Sequence, residues 1–443
     1  MKGTLLEGNI RRELVALALP LLVGNVLQQL YNTVDSLIIG RYLGTEAFSA
    51  VGIAGSIMNL FIFVLTGFCT GISILFAQMY GSGDRRGFRR EVFVSASLGA
   101  AITLALSALF MLLMRPALRL IHSPHELIGG IEAYLQVIIG GMLCTYFYNL
   151  ASGMLRSIGD TRAATFFLFV AVAVNAVADY LFVGVLGFGI AGAAWATVLS
   201  QLLSALCCLA YIYRRDRDLI CTRYDLGFER NLVKRTLSFG FSSALHQSSL
   251  YIGKIIVQGA VNLLGTPGIA AYTATMRVEG FANSFGTSMG SALSVFVSQN
   301  HGAGNHGRER DGLRKGMQLS VGLGLTLSAL MFFTARPGMR LFLNDGEAQA
   351  IAYGVDYMRW ISLFYVLCFT GNAFVGYFRG VGRMRVLVIG TTLHITVRAV
   401  LSHLLVGGMG LKAVALATGA GWILLLTYQL LCLRRQKTGT VQS

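Results

Sequence analysis

Asp35 lies deep inside the first apolar stretch of the sequence, PLLVGNVLQQLYNTVDSLIIGRYLG, residues 20–44. Gln28 and Tyr31 precede it by seven and four residues, which places the three polar side chains on one face of a helix. A carboxylate surrounded by hydrocarbon costs several kcal/mol unless it faces protein or water, so such an acid marks a hypothetical functional site. The alternative is structural, with Asp35 hydrogen-bonded to a neighbouring helix.

Asp179 is a second acid within an apolar stretch, and Asn175 lies one helical turn before it on the same face. The helix that carries them is predicted to start near Arg162. At about 1.5 Å per residue, Asp179 then lies roughly 25 Å along this helix, at a depth similar to that of Asp35. Thr197, in the next predicted helix, is expected at a similar depth.

The residue types in this predicted cluster allow two kinds of chemistry. If both acids are ionised, their oxygens, with those of the amide and the hydroxyl, are hard ligands for a small cation such as Na⁺. If repulsion and burial keep one acid protonated, the acids form a proton-binding pair. Either behaviour would couple an ion gradient to conformation. A purely structural polar cluster is the third interpretation.

The composition requires a membrane to surround these residues. Of the 443 residues, 55% are hydrophobic and 13% are charged, which excludes a soluble globular fold. A spanning helix needs about 20 apolar residues, so the sequence predicts an all-α membrane protein with twelve transmembrane helices. The seven cysteines are scattered without metal-site spacing and are expected to be packing residues. The predicted helices cover residues 12–39, 47–80, 91–114, 128–155, 163–186, 189–213, 232–263, 267–300, 312–334, 349–378, 386–406 and 411–433.

The basic residues predict the orientation of these helices. The net charge of +16 lies in short clusters between apolar runs, which indicates membrane topology and argues against nucleic-acid binding. With the N-terminus in the cytoplasm, 26 of the 36 Lys and Arg residues fall on the cytoplasmic side, and Arg379 is counted among them in an inner loop. Both termini are therefore predicted to be cytoplasmic.

A charged connection at residues 213–234 separates two halves of six predicted helices each, residues 1–222 and 223–443. The halves repeat each other, and an even number of helices per repeat gives both the same topology, with the substrate site expected between them. The matches occur at offsets of 221 and 223 and include Leu43-Gly44-Thr45 with Leu264-Gly265-Thr266, Gly83 with Gly304, Gly153-x-x-Arg156-x-x-Gly159 with Gly376-x-x-Arg379-x-x-Gly382, and Gly189 with Gly410.

The second half carries positive charge where the first carries negative charge. At the repeat offsets, Arg398 replaces Asn175, and Ile256, flanked by Lys254, replaces Asp35. Two roles are open for these cations. They extend towards the membrane surface or pair with an acid, for which the candidates are Glu279 and Asp356. Alternatively, they line the substrate cavity, where they would repel organic cations and suit an anionic or zwitterionic ligand. Three histidines in the same spans are either packing or gating residues: His246, His394 and His403.

A set of motifs extends over essentially the whole chain. It comprises Pro20, Tyr31 and Asp35 in the first helix, Leu-Gly-Thr-Glu-Ala at 43–47, GMLRSIGDTR at 153–162, Asn175 with Asp179, and the twofold repeat. Together these motifs resemble the multidrug and toxic compound extrusion (MATE) family, and within it the prokaryotic DinF-like and MepA-like branches. The resemblance implies a V-shaped, two-lobed exporter of twelve helices that expels cationic or amphipathic drugs in exchange for H⁺ or Na⁺.

The resemblance also implies roles for particular residues. The cation or proton site, which would bind Na⁺ in a sodium-coupled protein, comprises Asp35, Asn175, Asp179 and Thr197. The resemblance implies that Gln28 and Tyr31 line the same cavity. The full predicted substrate cavity also includes Asn149, Lys254, Glu279 and Arg398, although Glu279, which follows Arg277, is equally open to a role in an inner-gate ion pair. Pro20 is the predicted hinge of the first helix. The chain departs from the NorM branch because Lys254 stands in the seventh helix instead of an acid, and Asp356 lies near the outer entrance of its span.

We therefore expect a multidrug antiporter of the bacterial plasma membrane. Its expected partners are small-molecule drugs or metabolites and the lipid bilayer, and it is expected to act as a monomer without a cofactor other than the coupling ion. The alternative is a flippase for lipid-linked oligosaccharide or another anionic, lipid-like substrate, which the basic residues of the second half favour. The sequence has no HExxH, GxSxG or GxGD motif beside an apolar span, so enzymatic activity is not predicted.

Overall fold

The computed structural model describes residues 5–120, 124–344 and 346–437, and within these ranges the chain forms helices and no β-strand. A π-helix, Tyr180–Val185, follows α5, and two short 3₁₀-helices precede α7. The α-helices are α1 (Ile10–Gly81), α2 (Arg85–Leu120), α3 (His125–Gly140), α4 (Met142–Ser157), α5 (Thr161–Asp179), α6 (Gly189–Arg215), α7 (Arg230–Asn262), α8 (Gly265–Gly302), α9 (His306–Phe333), α10 (Ala335–Arg340), α11 (Ala348–Gly380), α12 (Met384–Met409) and α13 (Leu411–Lys437).

Twelve long helical segments among the described residues correspond to the twelve predicted helices. α1 contains the first two, divided at Gly44, and the fourth is a bent pair, α3 and α4, with an angle of 46°. Nine segments, or ten with the bent pair, are long and apolar enough to cross a membrane. α7 and α8 fall outside this set. They carry polar residues in their middle turns, including Lys254 on α7 and Glu279 on α8.

The sequence repeat is also present in the backbone. Gly44 and Gly265 have φ angles of 83° and 68°, a region that costs glycine nothing but strains residues with a Cβ. Three further pairs at the repeat offsets also have positive φ: Gly83 with Gly304, Gly159 with Gly382, and Gly189 with Gly410. The two halves therefore turn at matching positions.

The chain forms two compact units, which we call the first-repeat unit (Val23–Ala244) and the second-repeat unit (Met1–Leu22 with Leu245–Ser443). This division differs from the predicted boundary at 222/223, because the start of α1 packs with the second half and residues 223–244 pack with the first, where Thr236 donates to Glu91 of α2. Arg308 on α9 donates hydrogen bonds to the Leu5 carbonyl oxygen at 3.0 Å and to Glu13 Oε2 at 2.8 Å. Asn300 on α8 also donates to the Leu5 carbonyl, at 3.1 Å.

Small residues set a close helix contact in the second-repeat unit. A Cβ added to Gly376 on α11 would lie 2.3 Å from the carbonyl oxygen of Gly290 on α8, so the two backbones touch. The repeat counterpart of Gly376 is Gly153 on α4, where an added Cβ would lie 3.6 Å from Ser73 Cβ, an ordinary contact. The α8–α11 crossing is thus the tighter of the two, and it fixes two walls of the cavity described below.

The connection between α6 and α7 is fastened to the start of α2. Asp225 accepts hydrogen bonds from Arg89 Nε at 2.8 Å, from Thr222 Oγ1 at 2.6 Å and from the Thr222 backbone N–H at 3.0 Å. Burial alone would raise the pKa of Asp225, but the bonds from Arg89 and Thr222 outweigh it and lower this pKa to about 2. The carboxylate is therefore ionised at neutral pH.

Candidate functional site

An acidic cluster in the first-repeat unit brings together Asp35 and Tyr31 of α1, Asn175 and Asp179 of α5, and Thr197 of α6. The Asp35 and Asp179 carboxyl groups are in hydrogen-bonding contact. The Tyr31 hydroxyl lies 3.1 Å from Thr197 Oγ1. Asp179 is 0% exposed and Asn175 is 1% exposed, so the cluster is shielded from solvent on the α5 side.

Asn175 connects α5 to α6 within the acidic cluster. The orientation of the Asn175 side-chain amide is set by its hydrogen-bond partners. Nδ2 donates to Asp179 Oδ2 at 3.0 Å, and Oδ1 accepts from the Thr197 backbone N–H at 3.3 Å. The i, i+4 spacing of Asn175 and Asp179 makes the first bond possible. Asp179 thereby has a fixed neutral donor on one side and the carboxyl group of Asp35 on the other.

The carboxyl groups retain binding capacity. Asp35 Oδ1 and Asp179 Oδ1 are buried, and neither has a hydrogen-bond partner among the described residues. Two carboxyl groups in contact share a proton, and both ionise only if a cation lies between them. The helix also changes type directly after Asp179, where Tyr180–Val185 is a π-helix, a form that is frequent at functional sites.

A basic cavity of about 290 Å³ lies in the second-repeat unit, between α7, α8, α11, α12 and α13. Three cations line it, namely Lys254, Arg379 and Arg398, together with one acid, Glu279. Arg398 Nη2 donates to the Tyr272 hydroxyl at 3.2 Å. Within the described residues, no carboxylate lies within 4.0 Å of any of the three cations.

Glu279 is held at its backbone and keeps one side-chain oxygen without a partner among the described residues. The Tyr365 hydroxyl donates to the Glu279 carbonyl oxygen at 3.0 Å, while Oε1 is buried without a partner in the described part of the chain. Lys254 and Arg398 act on Glu279 electrostatically from beyond ion-pair distance. The other predicted partner, Asp356, pairs with Lys412 instead, at 3.5 Å. Of the two roles left open for Lys254 and Arg398, the structure therefore favours a cavity lining.

The remaining predicted site residues are dispersed. Gln28 is exposed on α1, one turn before Tyr31. Asn149 donates to the Thr145 carbonyl of its own helix at 2.8 Å. Pro20 lies inside α1, two residues before the boundary between the units. Of the predicted substrate-cavity residues, the three that share one cavity are Lys254, Glu279 and Arg398.

The three histidines predicted as packing or gating residues lie at two different places. His246 and His394 line the basic cavity, and the His394 ring stacks on Trp422 with 6.2 Å between centroids. His403 lies elsewhere on α12, where Nδ1 approaches the Ala399 carbonyl oxygen at 2.9 Å.

Sequence reasoning missed three buried polar residues. Arg379, assigned to an inner loop, lies within α11, 8% exposed, and lines the basic cavity. The recurrence of Gly153-x-x-Arg156 as Gly376-x-x-Arg379 was the sequence signal that could have identified Arg379. Tyr134 of α3 is buried close enough to the acidic cluster to be influenced by both acids. Glu91 of α2 is 0% exposed and accepts from Thr236 Oγ1 at 3.0 and 2.9 Å, although its sequence neighbours are arginines typical of a surface.

A cluster at the start of α9 was also missed. His301 Nδ1 and His306 Nδ1 lie 3.0 and 3.2 Å from Glu309 Oε2, and the Tyr377 hydroxyl donates to Glu309 Oε1 at 3.0 Å. Glu309 is buried and thereby ties α8, α9 and α11 together. Spacing along the chain shows the histidines and the acid but gives no sign of Tyr377.

A multi-pass helical protein with an internal repeat and buried polar sites has the architecture of a secondary transporter. The MatE family model matches residues 20–181 and 243–404, and both the starts and the ends of these segments lie 223 residues apart. Because the matches cover most of the chain, the protein belongs to the MatE family. The matching segments also confirm the predicted repeat.

Individual relatives agree with this assignment. The chain is 28% identical to the probable multidrug resistance protein YpnP of Bacillus subtilis over 421 residues, which cover 94% of this chain and 93% of the relative. It is 28% identical to the probable multidrug resistance protein NorM of Thermotoga maritima, covering 84% and 80%. A solved outward-facing structure of a multidrug resistance MATE family transporter matches with a TM-score of 0.91 at 22% identity, covering 99% of this chain and 98% of that one. The predicted fold class, an all-α membrane protein with the two-lobed MATE fold, is thus confirmed.

Proposed function

We propose that this protein is an ion-coupled antiporter that exports small molecules, with the acidic cluster as its coupling site. The observation that carries the proposal is the buried contact between Asp35 and Asp179, with one unpartnered oxygen on each acid. Binding of a positive ion removes the repulsion between the carboxylates, and loss of the ion restores it. Because the two acids lie on different helices, occupancy of the site favours one arrangement of the helices over another.

The contacts favour H⁺ as the coupling ion. A proton between the carboxyl groups satisfies the direct contact of Asp35 with Asp179. Na⁺ would need several oxygens, but Asn175 Oδ1 already accepts from the Thr197 backbone, and Thr197 Oγ1 is bonded to Tyr31. A sodium-coupled cycle would have both oxygens share their remaining lone pairs with the ion, whereas a shared proton needs only the two carboxyl groups.

The names of the relatives support an exporter of varied small molecules, since both relatives described above are named as probable multidrug resistance proteins. The distribution of basic residues supports cytoplasmic termini in a bacterial plasma membrane. Alternating access of the two halves, each with six long helices, is the mode of transport that a parallel repeat of this kind supports.

The basic cavity favours a second candidate function, which is movement of an anionic, lipid-like molecule across the bilayer. Its three cations and the stacked His394 and Trp422 would accept an anionic headgroup next to an apolar body. Scrambling of a fluorescent anionic lipid in proteoliposomes, with and without an ion gradient, distinguishes this function from export of soluble molecules.

Transport into proteoliposomes tests the coupling site. The full chain is reconstituted, pH and Na⁺ gradients are imposed separately, and uptake of a fluorescent organic cation and a fluorescent organic anion is followed. We expect the pH gradient to drive uptake and the Asp35→Asn and Asp179→Asn variants to lose it. Asp356→Asn is the matched control, because Asp356 is an acid on a spanning helix that pairs with Lys412 outside the cluster. Unimpaired uptake by either cluster variant, or uptake driven only by Na⁺, would contradict the proposal.

A further inference from the structure

We infer that the basic cavity binds the anionic group of the transported molecule, a carboxylate or a phosphate. This inference rests on the proposed function and specifies its substrate class. A cavity built for organic cations would expose acids and aromatic faces. This one exposes Lys254, Arg379 and Arg398 against a single acid, Glu279, and so has an excess of positive charge.

The cations in the cavity are not neutralised by the protein. Arg379 is 8% exposed, and its Nε is buried without a hydrogen-bond partner in the described residues. Arg398 Nε is likewise buried and unpartnered, and the bond that its guanidinium donates goes to a neutral tyrosine, Tyr272. Buried cations are normally paired, because leaving their donors unsatisfied is costly. An anion that accepts from these donors would complete the site.

The planar guanidinium group suits a carboxylate or phosphate better than it suits a halide ion. Its N–H groups form a fork that matches two oxygens on one atom. Lys254 adds a compact charge from α7, while the arginines come from α11 and α12. Lys254 and Arg398, which act on each other electrostatically, would therefore hold the anion from two helices, α7 and α12.

Glu279 is the acid of the cavity that would compete with an anionic ligand for these cations. It acts electrostatically on Lys254 and Arg398, yet it lies too far from both for an ion pair, and its Oε1 has no partner in the described part of the chain. Without Glu279, the cavity would attract anions more strongly and release them less readily.

The wall beside the charges indicates the rest of the ligand. Trp422 stacks on the His394 ring and makes an edge contact with Tyr365, with 5.8 Å between the latter centroids. These aromatic surfaces favour an apolar, ring-containing body attached to the anionic group. A cavity of about 290 Å³ lies just below the usual range for small-molecule sites, which begins at about 300 Å³.

Direct binding tests the inference without any gradient, so it is independent of the coupling site. The purified full chain in a neutral detergent is titrated by calorimetry with salicylate, inorganic phosphate, phosphatidylglycerol and ethidium. We expect an anionic probe to bind and ethidium not to compete with it. Binding of phosphatidylglycerol without binding of the free anions would assign the site to a lipid headgroup. Tight ethidium binding in the cavity, or no binding of any anionic probe, would overturn the inference.

Three variants locate the binding site. We expect Lys254→Gln and Arg398→Gln each to weaken anion binding by about tenfold or more, the effect of losing one charged hydrogen bond. Lys412→Gln is the control, because it removes a cation from the same unit, where Lys412 pairs with Asp356 at 3.5 Å, outside the cavity. If Arg398→Gln fails to fold, Lys254→Gln decides alone. Equal affinity in Lys254→Gln and the unmodified chain would overturn the assignment to this cavity. If binding is present but driven transport is absent, the proposed antiport fails and the anion site stands.

Discussion

The hydroxyl groups of Tyr31 and Thr197 lie 3.1 Å apart, although 166 positions separate them in the sequence. The bond joins the arm of α1 that carries Asp35 to α6, whose backbone at Thr197 is also held by Asn175. One residue on α6 thus receives contacts from both helices that carry the acids. The acidic cluster is a three-helix unit, and its parts are expected to respond together.

Breaking this bond should weaken coupling. We expect Tyr31→Phe and Thr197→Val each to lower pH-driven uptake by about fivefold, because a hydrogen bond of about 1 kcal/mol is lost. The double variant should be no worse than either single one, since both remove the same contact. Proteoliposome uptake measures the effect, and Tyr42→Phe, an exposed tyrosine on the same helix, is the control. Fully additive losses would show that the two residues act independently.

Neutralising Asp179 should raise the stability of the protein and abolish its transport activity. We expect Asp179→Asn to raise the stability of the detergent-solubilised protein by about 1 kcal/mol, because it removes the repulsion with Asp35 and keeps the shape of the side chain. Transport should be lost in the same variant. Thermal unfolding followed by tryptophan fluorescence measures the first effect, with Asp356→Asn for comparison. A marked loss of stability would instead indicate that the carboxylate is chiefly structural.

The tight crossing of α8 and α11 predicts different outcomes for two equivalent glycines. We expect Gly376→Ala to destabilise the protein by about 1–3 kcal/mol, since the new methyl group would meet the Gly290 carbonyl oxygen. Gly153→Ala, at the matching position of the first repeat, should be tolerated because its Cβ has ordinary contact distances. Unfolding temperatures of the two variants make the comparison. Equal effects would mean that the α8–α11 contact adjusts easily.

Asp225 should stabilise the protein at neutral pH. Its pKa falls from about 3.9 in an unfolded chain to about 2 in the folded protein, so its contribution is fully present above pH 4 and is lost as the pH falls towards 2. We expect Asp225→Asn to cost about 1–3 kcal/mol at pH 7 and progressively less below pH 4. Asp218→Asn is the control, because that residue is largely exposed and its contact with Arg85 measures 3.5 Å. A constant difference between pH 7 and pH 3 would contradict the prediction.

The fold was largely predictable because hydrophobic runs and glycine turns are local signals. The twelve segments and the positive φ of Gly44 and Gly265 follow from them. The bend between α3 and α4 falls at Gly140-Gly141, a local signal that the prediction did not use, whereas the π-helix after Asp179 begins without a proline or a glycine.

The acidic cluster was predictable because acids are rare in apolar helices and their spacing fixes the face on which they lie. Its bonding was not predictable. Nothing in the sequence indicates that Asn175 bonds both Asp179 and the Thr197 backbone, or that Tyr134 lies close by. Arg379 was assigned to a loop because α11 extends to Gly380, two residues past its predicted end, and a shift of this size decides whether an arginine faces water or a cavity.

The four pairs of glycine turns have a consequence for the origin of the protein. Turns that occur in both halves at the same offset are most simply inherited from one six-helix ancestor whose gene was duplicated and fused. The residues that now distinguish the halves, Asp35 against Ile256 and Asn175 against Arg398, were then acquired by divergence of the copies. Duplication would thus have allowed the acidic cluster of one copy and the basic cavity of the other to diverge on a common backbone.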